Sequence, residues 1–236
     1  KNSCEYCIME ASSHSIDQKR IMGKDIFIGI FSNLSHDHLD YHKNFNDYLN
    51  AKLYLFNNLI KNRGIVITDP NIPQFKKIKR VADIKKLKLL TILNSNADLQ
   101  LVSHNYVRDH QILIIKEKNK KKLIKIRLNL IGKIQIKNVL MAILAATKSG
   151  IDINSIAKSI SKLRPAEGRL EKIGKLKNNS KVILDYAHTP DALETILKNI
   201  KEQFPLAKIR LVFGCGGNRD KGKRSKMGKI ASKLAD

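Results

Sequence analysis

Three imidazoles and two carboxylates fall within the stretch NLSHDHLDYH, Asn33 to His42, and Lys52 follows within an apolar-periodic run. Imidazole nitrogens and carboxylate oxygens are common ligands of divalent cations, and a hard ion such as magnesium prefers oxygen. Residue types and spacing leave two readings open for His36, His38 and His42: a polar loop capping the next helix, or a site for a metal ion or a phosphate. Glu10, at the end of the apolar run CIME, is a candidate oxygen ligand from elsewhere in the chain. Lys52 is unusual in a mostly apolar helix, although an ordinary lysine can lay its stem along apolar surface and keep its ammonium in water.

A second constellation is FGCGGNRDKGKR, Phe213 to Arg224. Glycines free backbone N–H groups to face a phosphate, and Arg219, Lys221, Lys223 and Arg224 add positive charge. The same composition also suits a purely structural turn, and the pattern GxxxxGK[ST] occurs nowhere in the chain.

These residues need elements to hold them. DIFIGIF (Asp25 to Phe31) reads as a buried strand that delivers the His/Asp loop from its carboxyl end, where ligand sites gather in open α/β sheets. FNDYLNAKLYLFNNLI follows as an amphipathic helix with Tyr48, Leu49, Leu53, Leu55, Phe56 and Leu59 on its apolar face, and GIVITD (Gly64 to Asp69) as the next strand. Residues 88–131 predict three or more antiparallel strands, including a hairpin of QILII and LIKIRLNL around a solvated basic turn. VLMAILAATKSGI predicts a helix ending at Gly150, and NSIAKSISKL a shorter one. KVILDYAHTPDALETILKNI and KIRLVFGCGGNRDKGKRSKMGKIA each read as strand, loop and helix, the first with Pro190 in the opening turn. Two such units predict a parallel Rossmann-like sheet, with a domain boundary near Ala166 that separates residues 1–165 from 166–236.

Composition narrows the function classes. Lys and Arg number 45 against 21 Asp and Glu, a formal charge of +24, which ordinarily suggests nucleic acid. Here the lysines are scattered among many isoleucines and asparagines, tryptophan is absent, and the aromatics that stack bases are not clustered, so no nucleic-acid partner is expected. Cys4, Cys7 and Cys215 make neither a disulfide framework nor a full zinc site; Cys4 and Cys7 read as buried strand cysteines in a reducing cytoplasm. No apolar run approaches the ~20 residues of a membrane span. The chain opens on Lys1 and closes without a stop signal, as expected of an internal segment of a longer protein.

Taken in order, MEASSHSIDQKR, SNLSHDHLDYH, NAKLYLF, RPAEGRLE, DYAHTPDALE and FGCGGNRDKGKR resemble the Mur ligases of peptidoglycan synthesis. Within them the likeness is to the branch that adds a third residue, meso-diaminopimelate or lysine, to UDP-N-acetylmuramoyl-L-alanyl-D-glutamate. It covers essentially the whole chain. It implies an α/β fold: part of a central ATP-binding domain, with a parallel sheet and a small antiparallel one, then the start of a Rossmann-like C-terminal domain.

The resemblance also implies the chemistry. ATP phosphorylates the substrate's terminal carboxylate, and an amine displaces phosphate from the acyl phosphate, with magnesium and basic side chains balancing phosphoryl charge. By motif, Glu10 and His38 look like magnesium ligands. Lys52 looks like the lysine that carbon dioxide carbamylates, which turns a cation into an anionic oxygen ligand. Ser12, Gln18 and Arg20 match the UDP-sugar contacts; Asn138, Arg169 and Asp185 match the adenine, phosphate and ribose contacts of ATP, with His188 and Lys221 as weaker matches. His36 and His42 match no metal position and are expected to pack or hydrogen-bond. One departure stands out: the family's usual asparagine before the central helix is Gln135 here.

The family's P-loop and UDP-binding domain would lie upstream of Lys1, and the motif that selects the amino acid downstream of Asp236. The resemblance therefore implies a cytoplasmic, monomeric enzyme at full length and an inactive segment alone. A folylpolyglutamate-synthetase-like ligase and a non-catalytic remnant are the other readings; the wording of SSHSIDQKR and DYAHTPDALE favours the peptidoglycan enzyme.

Overall fold

The computed structural model describes residues 3–34, 41–216 and 222–236. The chain divides into two compact units, Lys1–Leu90 and Thr91–Asp236.

In the first unit, helix α1 (Ser13–Asp17), strand β1 (Ile26–Phe31), helix α2 (Phe45–Tyr54), strand β2 (Ile60–Thr68) and helix α3 (Phe75–Ile84) surround a core of Ile16, Phe31, Leu49, Leu53, Phe56, Val66 and Ile78. β1 and β2 run parallel, with Ile28 opposite Ile65 and Phe31 opposite Thr68, so their carboxyl ends lie side by side. The Thr68 hydroxyl donates to the Phe31 carbonyl at 2.9 Å and fastens those ends.

Three expectations need correction in this unit. β1 buries Gly29 and Phe31 but leaves Phe27 and Ile30 exposed, because a parallel strand is buried on both faces only where layers cover both. The helix expected through Ile60 stops being α-helical at Tyr54, widens into a π turn at Leu55–Leu59, and lets β2 begin at Ile60 rather than Gly64. Cys4 and Cys7 are exposed, not buried in a strand: Ser3 to Ala11 carries no strand assignment and Ile8 is 98% exposed, since apolar character alone pairs no backbone groups. Helix α3 was hidden among lysines; its signal is Ile78 and Ala82, buried at i and i+4.

β3 (Lys88–Leu93) reaches the second unit, where Ile92 and Leu93 pair parallel with Leu99 and Gln100 of β4 (Leu99–Val107). β4, β5 (His110–Glu117) and β6 (Leu123–Leu128) then form the expected antiparallel meander, and the basic turn at residues 118–122 is exposed. β6 alternates exposed and buried side chains along its whole length, the period-2 signature of a half-buried strand. Helix α4 (Ile134–Lys148) ends before Gly150, whose φ of 95° is the left-handed conformation that closes helices cheaply only in glycine. Helix α5 (Ile153–Ile160) starts at Asp152, whose carboxylate accepts from Ser155 N–H.

Strands β7 (Glu171–Lys175) and β8 (Lys181–Leu184) form an antiparallel pair. Helix α6 (Pro190–Gln203) follows, with Pro190 in its first turn and Thr189 as its cap, and packs against α7 (Gly222–Leu234) through Leu193, Leu197, Ile209 and Met227. The strand expected in KIRLVFG has no ladder among the described residues, and Val212 is 97% exposed. The alternation of extended segment, loop and helix is as expected; among the described residues of 166–236 the one strand pair, β7 and β8, is antiparallel.

Candidate active site

The sequence-derived site residues fall into two clusters, one in each unit. In the first, α1 and α2 pack together. Ser12 caps α1, its hydroxyl accepting from Ser15 N–H at 3.1 Å, so a residue expected at substrate also sets the helix start. Gln18 closes the same helix and donates through Nε2 to the Tyr41 hydroxyl at 3.3 Å, which in turn donates to Asp17 at 2.8 Å. Arg20 lies in the turn beyond α1 with its side chain exposed, and Glu10 is exposed just before the helix.

His42 behaves as expected of a packing histidine. It is 5% exposed, its Nε2 lies 2.9 Å from the buried Ser13 hydroxyl, and its ring stacks on Tyr48 with centroids 5.1 Å apart. Tyr41 meets the same imidazole edge-on at 4.8 Å. One helical turn beyond Tyr48, the half-buried Lys52 places Nζ 5.2 Å from the Tyr48 ring centre. Ser13, His42, Tyr48 and Lys52 therefore form a continuous stack from α1 to α2. The aromatic members were missed by sequence reasoning; the i, i+4 spacing of Tyr48 and Lys52 was their signal. His36 and His38 lie outside the described residues. Among the described residues, no three His, Cys, Asp or Glu side chains gather as a metal-binding group.

In the second cluster, the Asp185 carboxylate accepts from two backbone amides, Leu170 N–H and Ala187 N–H, both at 2.8 Å. Gly168, at φ 63°, accepts from Tyr186 N–H at 2.8 Å, which draws the RPAEGRLE and DYAHTPDALE segments together. The exposed guanidinium of Arg169 lies 5.4 Å from the Tyr186 ring centre, a cation–π contact that orients it. His188 directs Nδ1 at the Tyr186 carbonyl, 3.1 Å away, so Nδ1 carries a proton and donates to that oxygen. Lys223, at the start of α7, donates to the His188 carbonyl at 3.1 Å, and Arg224 to Gly216, bringing the glycine-rich loop's flank to the same place. Lys221 and Arg219 lie outside the described residues.

Asn138 sits exposed in the second turn of α4, and its amide donates to Gln135 Oε1 at 3.3 Å. Gln135 is thus inside the helix rather than before it, because α4 begins at Ile134, earlier than the run VLMAILAATKSGI suggested.

Comparison with known proteins matches both halves of the chain. Residues 1–146 fit the Mur ligase middle domain and residues 168–236 the glutamate ligase domain of Mur ligases. The UDP-N-acetylmuramoyl-L-alanyl-D-glutamate--2,6-diaminopimelate ligase of Rickettsia conorii is 38% identical over 239 aligned residues, covering 100% of this chain and 48% of its own. A solved structure of a ligase of that name superposes with a TM-score of 0.71 at 31% identity, over 96% of this chain and 46% of that one. The MurF ligase of Thermotoga maritima, solved with ADP, shares the fold at a TM-score of 0.71 and 17% identity, over 95% of this chain and 50% of its own. The chain spans about half the length of the curated relatives it matches. With its middle-domain match extending over more than half its residues, the chain belongs to the Mur ligase family.

Proposed function

We propose that the chain belongs to an ATP-dependent ligase that adds a diamino acid, meso-diaminopimelate, to UDP-N-acetylmuramoyl-L-alanyl-D-glutamate. What supports this best is that the identity to a ligase of that name runs through the whole chain, and so through both clusters. The junction near Ala166, between the two family matches, marks the domain boundary of this reading.

Each residue then has a task. Arg20 meets a phosphate or carboxylate of the UDP-sugar with two parallel hydrogen bonds, and Ser12 and Gln18 add neutral ones. Asn138, with its amide NH2 turned toward Gln135, offers its carbonyl oxygen to the adenine amino group. Asp185 uses one lone pair of each oxygen on backbone amides and has further acceptor capacity for ribose hydroxyls. Arg169 faces phosphate, and His188 and Lys221 are the weaker candidates for the same contact. A substrate carboxylate oxygen bonds to the γ-phosphorus as ADP departs; the amine nitrogen then bonds to the acyl carbon, phosphate leaves, and the amine loses its proton.

The Lys52 amine fits carbamylation chemically: its nitrogen bonds to the carbon of carbon dioxide and loses a proton, which leaves two oxygens with one negative charge. Glu10, His38 and carbamylated Lys52 would then hold magnesium, since a carboxylate, an imidazole and a carbamate make a predominantly oxygen donor set suited to a hard cation. When bound, the ion neutralises phosphoryl charge.

No helix among the described residues is long and apolar enough to cross a membrane; the reading is of a cytoplasmic monomer acting on soluble substrates without nucleic acid. The test is ATP-dependent ligation by the protein at its full natural length, with diaminopimelate and lysine offered separately. Turnover with diaminopimelate alone is the expected result. Turnover with lysine alone moves the amino-acid assignment, and a folded protein that turns over neither overturns the ligase reading.

A further inference from the structure

Helix α4 begins without a cap of its own: Lys133, at its N-cap position, contributes no side-chain hydrogen bond. The first N–H groups of a helix need acceptors: those of Gln135 and Ile136 turn back to the Gly132 and Lys133 carbonyls, while the Ile134 N–H, and that of Gly132 just before the helix, find theirs far along the chain. Gln203 Oε1 accepts from Gly132 N–H at 2.8 Å and Asn199 Oδ1 from Ile134 N–H at 3.1 Å. Both acceptors lie on one face of α6, at i and i+4. Asn199 is held for this task by its own Nδ2, which donates to the Thr195 carbonyl at 2.8 Å. Gln203 is 4% exposed and its Nε2 has no hydrogen-bond partner among the described residues, so its amide is set by the bond to Gly132.

Gly132 is constrained on two further sides. Gln111 Nε2 donates to the Leu130 and Gly132 carbonyls at 2.7 and 3.2 Å, pinning the same residue from the antiparallel sheet. Gly132 has φ 89°, and a Cβ placed there would lie 2.9 Å from Leu170 Cδ1 and 3.1 Å from Asn199 Cβ. Leu170 is the residue whose amide binds Asp185, and it follows Arg169 directly. One glycine therefore joins the start of α4, which carries Asn138, to the segment that carries Arg169 and anchors Asp185.

We propose that Asn199, which caps α4 from another helix, and Gln203, which holds Gly132 just before it, are positioning residues for nucleotide binding that keep the adenine-side and phosphate-side contacts in register at Gly132. This rests on the nucleotide reading given above.

The experiment uses the protein at full natural length, with Asn199→Leu/Gln203→Leu as the disrupting variant and Gln203→Glu as the conservative one, which keeps the acceptor oxygen for Gly132 N–H and removes only the unpartnered Nε2. Amide hydrogen exchange at residues 132–136 and equilibrium binding of ADP are measured on all three proteins. In the double variant, exchange accelerates by about tenfold or more and the Kd for ADP rises by a similar factor, while Gln203→Glu stays closer to wild type than to the double variant on both. Faster exchange with unchanged ADP affinity overturns the proposal, because capping is then only structural. Unchanged exchange overturns it too, since the trans cap is then not holding the helix. A wild type that binds no ADP overturns the nucleotide reading and this proposal with it, and that failure is distinguished from the others by being present before any substitution.

Discussion

The two clusters of candidate site residues are built on opposite plans. In the α1/α2 cluster the scaffold is side chain on side chain: Ser13 to His42, His42 on Tyr48, Tyr48 beneath Lys52. The chemically expected residues Glu10 and Arg20 are exposed at its margins, and the half-buried Lys52 lies over the Tyr48 ring. In the Asp185 cluster the expected functional group is itself the scaffold, because its carboxylate ties Leu170 and Ala187 into one loop. Chemistry and scaffold are thus separable in the first cluster at Glu10, Arg20 and Lys52, though not at Ser12 and Gln18, which cap α1, and fused in the second at Asp185.

Substitutions can break that distinction. At full natural length, Lys52→Ala is expected to lower the ligation rate by about 10³-fold, equivalent to about 4 kcal/mol of transition-state stabilisation. Its thermal unfolding should stay close to wild type, since Lys52 lies half-buried over a ring face rather than in the apolar core. Partial recovery of rate on adding short carboxylic acids would sharpen the carbamate reading. A large loss of melting temperature would break the comparison at its strongest point.

Asp185→Ala should do both kinds of damage. Two charge-assisted hydrogen bonds to backbone amides disappear together, at a cost of about 3 kcal/mol, and Arg169 loses its fixed neighbour. Denaturant unfolding and nucleotide affinity should fall in the same variant. A variant with intact stability and lost affinity would show that the carboxylate serves the ligand alone.

His42→Ala tests the scaffold without touching a proposed ligand. It strips a stacked ring from Tyr48 and leaves the buried Ser13 hydroxyl unpaired, which should cost about 2 kcal/mol. The KM for the UDP-sugar is expected to rise more than kcat falls, because α1 presents Ser12 and Gln18. An equal fall in kcat with no change in KM would instead place His42 at the reacting groups.

Local chemistry explains what was legible in advance. Pro190 in the first turn of α6, Gly150 after α4 and the polar turn between β5 and β6 each carry their signal within a few residues, and each sits where that signal put it. His42 was legible as a packing residue for another reason: it matches no metal position of the family the chain resembles. What was hidden depends on distant partners. The π turn at Leu55–Leu59 comes from fitting one helix between core and strand, and CIME is apolar yet has no strand to join. Gly132 has an ordinary sequence context; its acceptors, Asn199 and Gln203, lie on another helix, and no spacing rule links them. Tyr48 and Tyr186 read as core or loop aromatics until the cations above them, Lys52 and Arg169, are seen in place.

The smallest expected effect concerns a charge group away from both clusters. Asp109, in the turn between β4 and β5, receives Lys181 at 3.0 Å and Lys172 at 3.1 Å, both from the β7/β8 pair. Burial alone would raise its carboxyl pKa, but the hydrogen bonds and charges of the two lysines outweigh that and hold it below the ordinary value. A carboxylate depressed in the native state contributes stability that is complete above the unfolded pKa of about 3.9 and is lost as pH falls through the lower native value. Asp109→Asn should therefore cost only about 0.5 kcal/mol at neutral pH, because the side chain is 45% exposed and well screened. The deficit should shrink with added salt and vanish in acid. A larger, salt-independent loss would mean that this triad, like the Asp185 loop, is a structural anchor, and that fusing charge with scaffold is the rule in the second unit.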